Sequence, residues 1–493
     1  MTKSKNSDRM NRRNILTGIG IGGVGLTMGA PVRAALLPAG LRSEKHDVVV
    51  IGAGTAALVA ALQAKQDGAN VVVLEKTAAD SSGGDSRMSG GIFFVPGKDT
   101  AESRQAFVDD NDRVTQGRGN KALFRVIADH AWSDIAWLKQ QGSEFIEYEP
   151  ARLGSGGTMT LAPAPWQGMP RWLATMQKQF TGLGGTIVYE AKAKQLIMDN
   201  RGHVVGVKVA TQDGIVDYMA NAVVIAAGGY CANKYMLEQL VHPDADAMLV
   251  RGAKTATGDG HLMALEAGAA LQNMAGLATV SVVTVDPREP AGANPERALR
   301  HCVAINRDGK RYVDESKGLL INGRAALGQP GQVIALVFDE NLKAEHDTQM
   351  SLAVYKALNL PVLEANTIED LAGQIKVPAA QLKATIDAFN SAVQDGKALD
   401  ANPPKAGLAA KIETPKFYAF YPLVPGITQT FGAITINTNA QVLEPDGRVI
   451  PGLYAVGNCA GPLYYDSYWP GGMQISCLVM GRIAGHQAAL ERA

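Results

Sequence analysis

The stretch that most constrains this chain is short: an apolar run, Val48-Val49-Val50-Ile51, ending on Gly52-Ala53-Gly54-Thr55-Ala56-Ala57. Four branched apolar residues with no polar alternation describe a strand covered on both faces, as in a parallel sheet. An Ala-rich helical pattern runs on through Leu58, Leu62 and Ala64, and Val71 to Leu74 repeats the strand before Glu75 and Lys76. Strand, glycine turn, helix, strand and acid is an arrangement that holds a dinucleotide. Gly52 makes the tight turn, and Gly54 lets a pyrophosphate approach the backbone at the helix start. Ala57 lets helix and strand pack closely, and Glu75 accepts ribose hydroxyls. Thr55, Ala56 and Lys76 stand at the same turn and strand end and join the candidate contacts.

The rest of the chain is organised around this unit. Thr186 to Val216 alternates in β fashion around Asp199-Asn200-Arg201-Gly202 and Asp213-Gly214, which predict hairpin turns, and carries Ala193 as a further candidate contact. Ala222-Val223-Val224-Ile225-Ala226-Ala227-Gly228-Gly229 is a second buried strand ending on glycines, expected beside the first. Residues 271 to 430 change character, with turn residues from Pro287 to Pro295 and helical patterns at Ile368 to Ile375 and Ala379 to Ala392. Nucleotide-type signals return in Ile450 to Asn458, so a dinucleotide domain interrupted by an insertion fits better than domains in series.

Composition excludes several classes. The 493 residues carry 47 Lys plus Arg against 47 Asp plus Glu, a balance that offers nothing to nucleic acid. The 4 Cys form no C-x-x-C pair, which argues against a disulfide scaffold or zinc site. The neutral total hides an asymmetry: residues 1–34 hold Lys3, Lys5, Arg9, Arg12, Arg13 and Arg33 against Asp8 alone. Arg12-Arg13, the glycine-broken apolar run Ile15 to Val32 and a small-residue end at Ala34 resemble a twin-arginine export signal, removed on arrival. A periplasmic protein exported folded around a tightly bound cofactor is the expectation.

Four ordered blocks from Lys45 onward resemble the fumarate reductase and succinate dehydrogenase flavoprotein superfamily. They are the Gly52 to Ala57 turn with Glu75; Gly83-Gly84-Asp85-Ser86-Arg87-Met88-Ser89-Gly90-Gly91, similar to a G-G-N-S run against the flavin; Thr257-Gly258-Asp259-Gly260-His261; and Ile450 to Asn458 with Gly471-Gly472 and Gly481 to Gly485. Arg311 to Glu315, Gly323-Arg324 and the late tyrosines resemble tricarballylate dehydrogenase-like members. The resemblance implies an α/β fold, a Rossmann-like FAD-binding domain (45–275 and 431–493) interrupted by an α+β capping domain (276–430). It implies FAD contacts at Gly83, Gly84, Asp85, Ser86, Ser89, Gly90, Gly91, Ala227, Gly228, Gly229, Asp259, Gly457, Asn458, Gly472, Gln474 and Ile475. The second block has neither His nor Cys, so the FAD is expected to be noncovalent.

Oxidation or reduction of a carbon–carbon bond needs hydride exchange with flavin, a proton acid or base, and a polar clamp on the activating carbonyl or carboxylate. The superfamily's dicarboxylate clamp is depleted here. Gln429 in Gln429-Thr430-Phe431-Gly432-Ala433 replaces its His, Tyr468-Trp469-Pro470 stands where an Arg precedes the late glycine pair, and Ala278 to Val282 holds no titratable group. Fumarate would lose several charge-assisted bonds. In their place stand Tyr464, Tyr465, Asp466, Tyr468 and Trp469. A similar Y-P-G run in 3-ketosteroid dehydrogenases polarises a ketone. Tyr465 and Tyr468 are candidate catalytic groups or packing rings, Arg324 a carboxylate clamp or a salt-bridge partner, and Gln429 a polar contact. His261 reads as structural, as does Cys459.

The expected activity is an exported FAD-dependent dehydrogenase or reductase that makes or removes a CH–CH bond beside a carbonyl or carboxylate of a small organic acid or ketone. No C-x-x-C-H haem motif is present, so an external electron acceptor or donor, such as a cytochrome or quinone-linked protein, is expected. The alternatives are a flavin oxidase or hydroxylase using oxygen, and a flavin-loaded electron-transfer subunit without substrate chemistry.

Overall fold

The computed structural model describes residues 42–147, 157–165, 168–283 and 295–491. The basic leader and most of the Pro287 to Pro295 turn region lie outside the described residues.

The opening strand β1 (Val48–Ile51) feeds helix α1 (Thr55–Gln66), which returns to β2 (Val71–Leu74). A short helix α2 (Gly84–Met88) follows, then strands β3 (Thr186–Val188) and β4 (Ala222–Ile225). Near the chain end come β5 (Gln441–Leu443), β6 (Val449–Ala455) and helix α3 (Gly472–Leu490). Together the six strands form one sheet in the order β5-β6-β4-β1-β2-β3. β4 lies beside β1 in parallel, Ala222 opposite Val48 and Ile225 opposite Ile51, as their shared apolar pattern predicts. β1, β2 and β4 are buried at every residue, which is why none alternates polar and apolar positions.

Helices α1 and α3 cross in close contact over this sheet. A Cβ at Gly485 would stand 2.2 Å from the Ala60 carbonyl oxygen, so only glycine permits the approach. The Gly481 to Gly485 block thus serves helix packing. The two predicted hairpins join strands 192–198, 204–211 and 214–219 into a separate small sheet.

A second core gathers residues of 298–423 on a sheet centred on the 14-residue strand Phe417–Thr430. That strand pairs with 249–250, 277–283, 334–339 and 363–365. The core holds a buried charge cluster: Glu315 receives Arg311 Nη2 at 2.7 Å, Arg311 Nε at 3.1 Å and the Ala304 amide at 2.9 Å. Lys405 Nζ lies 4.0 Å from Glu315 Oε2 and donates to the Cys302 carbonyl at 2.9 Å. The Arg311 to Glu315 block is therefore a staple of this second core. Among the described residues no helix is long and apolar enough to cross a membrane.

Candidate functional site

One cleft with about 1320 Å³ of atom-free space runs along the carboxyl ends of β1, β2 and β4, where open α/β sheets take their ligands. Gly52 turns the chain out of β1 at φ +107°, and a Cβ there would meet the Ala226 carbonyl oxygen at 2.5 Å. The Glu75 carboxylate ties this turn to β2: Oε2 accepts the Ala53 amide at 3.0 Å and Oε1 the Thr77 amide at 2.8 Å. Oε2 keeps acceptor capacity toward the cleft.

The fit to a dinucleotide rests on what these groups leave open. Thr55 Oγ1 is buried with no partner among the described residues, at the start of α1, whose first turn carries no acidic residue. A helix N-terminus with a spare hydroxyl and no competing carboxylate suits a pyrophosphate. Ser86 Oγ accepts the Thr55 amide at 3.0 Å and joins α2 to this turn. At the β2 end Lys76 Nζ bonds Asp259 at 2.7 Å and Thr257 at 2.9 Å, and Lys192 approaches Asp259 at 3.4 Å. Burial alone would raise the Asp259 carboxyl; the two lysines and Thr257 outweigh it and hold the carboxyl below its ordinary range. The residues present fit the two phosphates and ribose of FAD.

At the other end four side chains converge. Asp85 Oδ1 accepts the Ala253 amide at 2.6 Å, and Asn458 Nδ2 donates to Asp85 Oδ2 at 3.3 Å and to Gln429 Oε1 at 3.1 Å. Gln429 lines the cleft with its Oε1 taken by Asn458, which leaves its Nε2 as the donor end of the side chain. Tyr468 lines the same space; burial pushes its hydroxyl up to about 12, so it stays protonated and donates at neutral pH. Burial likewise lifts Asp85 to about 6 against the pull of the Ala253 and Asn458 bonds. Gln474 reaches Ser89 Oγ at 3.1 Å, and Pro470, Gly471 and Met473 bring the start of α3 to the cleft wall.

Of the predicted contacts, Gly52, Gly54, Thr55, Ala56, Glu75, Lys76, Gly83, Gly84, Asp85, Ser86, Ser89, Gly90, Gly91, Ala193, Ala227, Gly228, Asp259, Gly457, Asn458, Gln474 and Gln429 line this cleft with Tyr468. Four do not. Ala57 and Ile475 are fully buried. Gly229 packs on Thr430, whose Oγ1 a Cβ would meet at 2.4 Å, and Gly472 on Tyr464, at 2.1 Å from its hydroxyl. Sequence reading missed Ala253, which holds Asp85, along with Lys192, Thr255, Met473 and Cys477. A run of nucleotide-type glycines around position 471 was the available signal for Met473.

The aromatic run is sorted by its neighbours. Tyr464 is buried and donates to Asn111 Oδ1 at 2.8 Å; Trp469 stacks on Phe94 and donates to the Asp110 carbonyl at 2.9 Å. Tyr465 stands apart from the cleft lining, beneath the Arg118 guanidinium at 4.0 Å and near Arg324 at 5.5 Å. Arg324 is committed: it donates to the Ala275 carbonyl at 3.1 Å and lies 3.1 Å from Asp466 Oδ1, with Arg118 on the other Asp466 oxygen. A guanidinium so occupied is a salt-bridge partner, and the clamp expected of Arg324 is not assembled. His261 Nε2 donates to the Gly432 carbonyl, 2.8 Å away, inside the core, and Cys459 is fully buried.

Comparison with known proteins agrees with this geometry. The family of FAD-binding domains matches residues 47–472. A urocanate reductase of Eggerthella lenta is 30% identical over 473 residues, covering 92% of this chain and 76% of that one. A vinyl phenol reductase of Lactiplantibacillus plantarum is 29% identical over 488 residues, covering 91% and 97%. The open conformation of a flavocytochrome c3 fumarate reductase superposes with a TM-score of 0.73 at 27% identity, covering 91% of this chain and 78% of that one.

Proposed function

The chain belongs to the family of FAD-binding domains, and from that premise we propose that it is an FAD-dependent dehydrogenase or reductase acting on a CH–CH bond next to a carbonyl or carboxylate of a small organic substrate. Bound FAD supplies a two-electron hydride acceptor or donor. The protein's part is to bind, orient and hold protons. The Tyr468 hydroxyl and the Gln429 Nε2 group donate to the substrate oxygen that activates the double bond, and the N-terminus of α3 favours negative charge developing beside it.

The observation that carries this reading is the convergence of Tyr468, Gln429 and Asn458 at one end of the dinucleotide cleft. These donors are neutral, which suits a carbonyl or a single carboxylate better than fumarate. The relatives support it by their names, reductases of urocanate and of a vinyl phenol. The capping domain is taken as 276–430, between flavin-domain segments 45–275 and 431–493. Electrons pass to or from an external partner such as a cytochrome or a quinone-linked protein. The twin-arginine pattern of residues 1–34 supports export to the periplasm; N-terminal sequencing of the protein from a periplasmic fraction tests that, with Ala35 expected first.

The test of activity is an anaerobic panel of unsaturated acids, saturated acids, cyclic ketones and steroids, followed by bleaching or recovery of the flavin absorbance. At least one substrate is expected to exchange two electrons per flavin, and Tyr468→Phe to slow that exchange about 100-fold. A flavin-loaded protein that exchanges electrons with no member of the panel would sink the proposal.

A further inference from the structure

Asp85 is the one residue of the second glycine block whose chemistry departs from the G-G-N-S pattern, a carboxylic acid where an amide is expected. It lies in the first turn of α2 and lines the cleft that fits FAD. Its two oxygens are held from two distant parts of the chain, the Ala253 amide on Oδ1 and the Asn458 side-chain amide on Oδ2, and that Asn458 amide also donates to Gln429 Oε1. Both donors to Asp85 are neutral. Among the described residues no Lys, Arg or His forms an ion pair with it; Lys76 is spent on Asp259, and Arg251 and Lys254, on the same segment as Ala253, make none with it either.

We propose that Asp85 is a redox-linked proton acceptor: when the flavin in this cleft receives two electrons, the Asp85 carboxylate takes one proton from solvent and becomes the carboxylic acid. The balance is simple. Negative charge added to the cleft by reduction repels the adjacent carboxylate, and one solvent proton converts COO⁻ to COOH; the two electrons come from the reductant. On reoxidation the proton leaves. An amide at this position gives no such exchange.

The surroundings determine which group answers. The titratable neighbours that feel Asp85 are Tyr468 from the segment before α3, Cys231 from the segment after β4, and Cys477 on α3. Burial drives all three upward, to about 12 for Tyr468 and Cys477, so they keep their protons near neutrality. Glu296 acts on Tyr468 and Arg251 from the cap side; Arg87, on α2 itself, is exposed. Asp85 is left as the group poised to exchange a proton close to physiological pH, with burial having lifted it to about 6.

The inference rests on FAD occupying this cleft, so the experiment first counts flavin per protein. The midpoint potential of bound flavin is then measured from pH 5 to pH 8 with dithionite and mediator dyes, and its slope is read as protons taken up per two electrons. The wild type is expected to exceed Asp85→Asn by up to one proton per two electrons above about pH 6, and the variant to have the higher potential at pH 8. Asn458→Ser, which removes a donor from Asp85, is expected to move the bend to higher pH. Equal slopes in flavin-loaded wild type and Asp85→Asn overturn the proposal and leave the cofactor standing; a protein that takes up no flavin overturns both. If Asp85→Asn holds no flavin, the wild type decides: reduced-minus-oxidised infrared spectra at pH 7 must gain a carboxylic acid C=O band, and its absence overturns the proposal.

Discussion

Two enclosed carboxylates, Glu315 in the second core and Asp85 in the cleft, have been given opposite surroundings. Glu315 faces a guanidinium fork, a lysine and a backbone amide. Asp85 faces two neutral donors and open space. Desolvation is unfavourable for both; at Glu315 the cations offset it, while at Asp85 the offset is incomplete and the proton is held more tightly. The difference teaches that a buried charge becomes structural when its partners are complete and responsive when they are not.

The contrast can be broken in measurable ways. Glu315→Gln leaves Arg311 and Lys405 buried without a counter-charge and is expected to cost about 3–5 kcal/mol in denaturant unfolding; a loss below about 1 kcal/mol would erase the distinction. For Asp85 the sign is reversed. Its folded-state value of about 6 lies above the ordinary 3.8, so its stabilisation is present at low pH and is lost as pH rises through about 6. Flavin-free Asp85→Asn should therefore gain on the wild type by about 2 kcal/mol between pH 4 and pH 7, in paired unfolding curves.

Smaller effects sharpen the same comparison. Lys405→Met leaves the Arg311–Glu315 fork intact but orphans the Cys302 carbonyl, so about 1–2 kcal/mol is expected, well short of the Glu315 loss. Tyr465→Phe, away from the cleft lining, should leave flavin exchange rates within about twofold and stability within about 0.5 kcal/mol, measured beside Tyr468→Phe.

How much of this was legible in the sequence follows from range. The β1–α1–β2 unit could be read because its constraints are local: four buried apolar residues, a glycine with positive φ, an acid at the next strand end. Glu75 and Lys76 followed from the same pattern. Asp85 could be placed near the cofactor by its glycines, but its partners lie 168 and 373 residues away, and no periodicity reports such a meeting. Arg324 stayed open between carboxylate clamp and salt-bridge partner for the same reason: nothing in Gly323-Arg324 announces that Asp466 and the Ala275 carbonyl will claim it. The aromatic run showed that rings gather before α3, yet which ring faces the cleft is decided by Asn111, Phe94 and Arg118, all from distant elements.

One backbone feature joins the two regions. The strand Phe417–Thr430 is laced along its length to strands 249–250, 277–283, 334–339 and 363–365 and ends with Gln429 held by Asn458 and Thr430 accepting the Tyr230 amide at 3.0 Å. The pairing reaches from Phe417 to Thr430, so both ends of the strand are held. The amide of Gln429 at the cleft is thus seated by the same strand that organises the second core, and the Gln429–Asn458 contact is where that core and the cleft share a hydrogen bond.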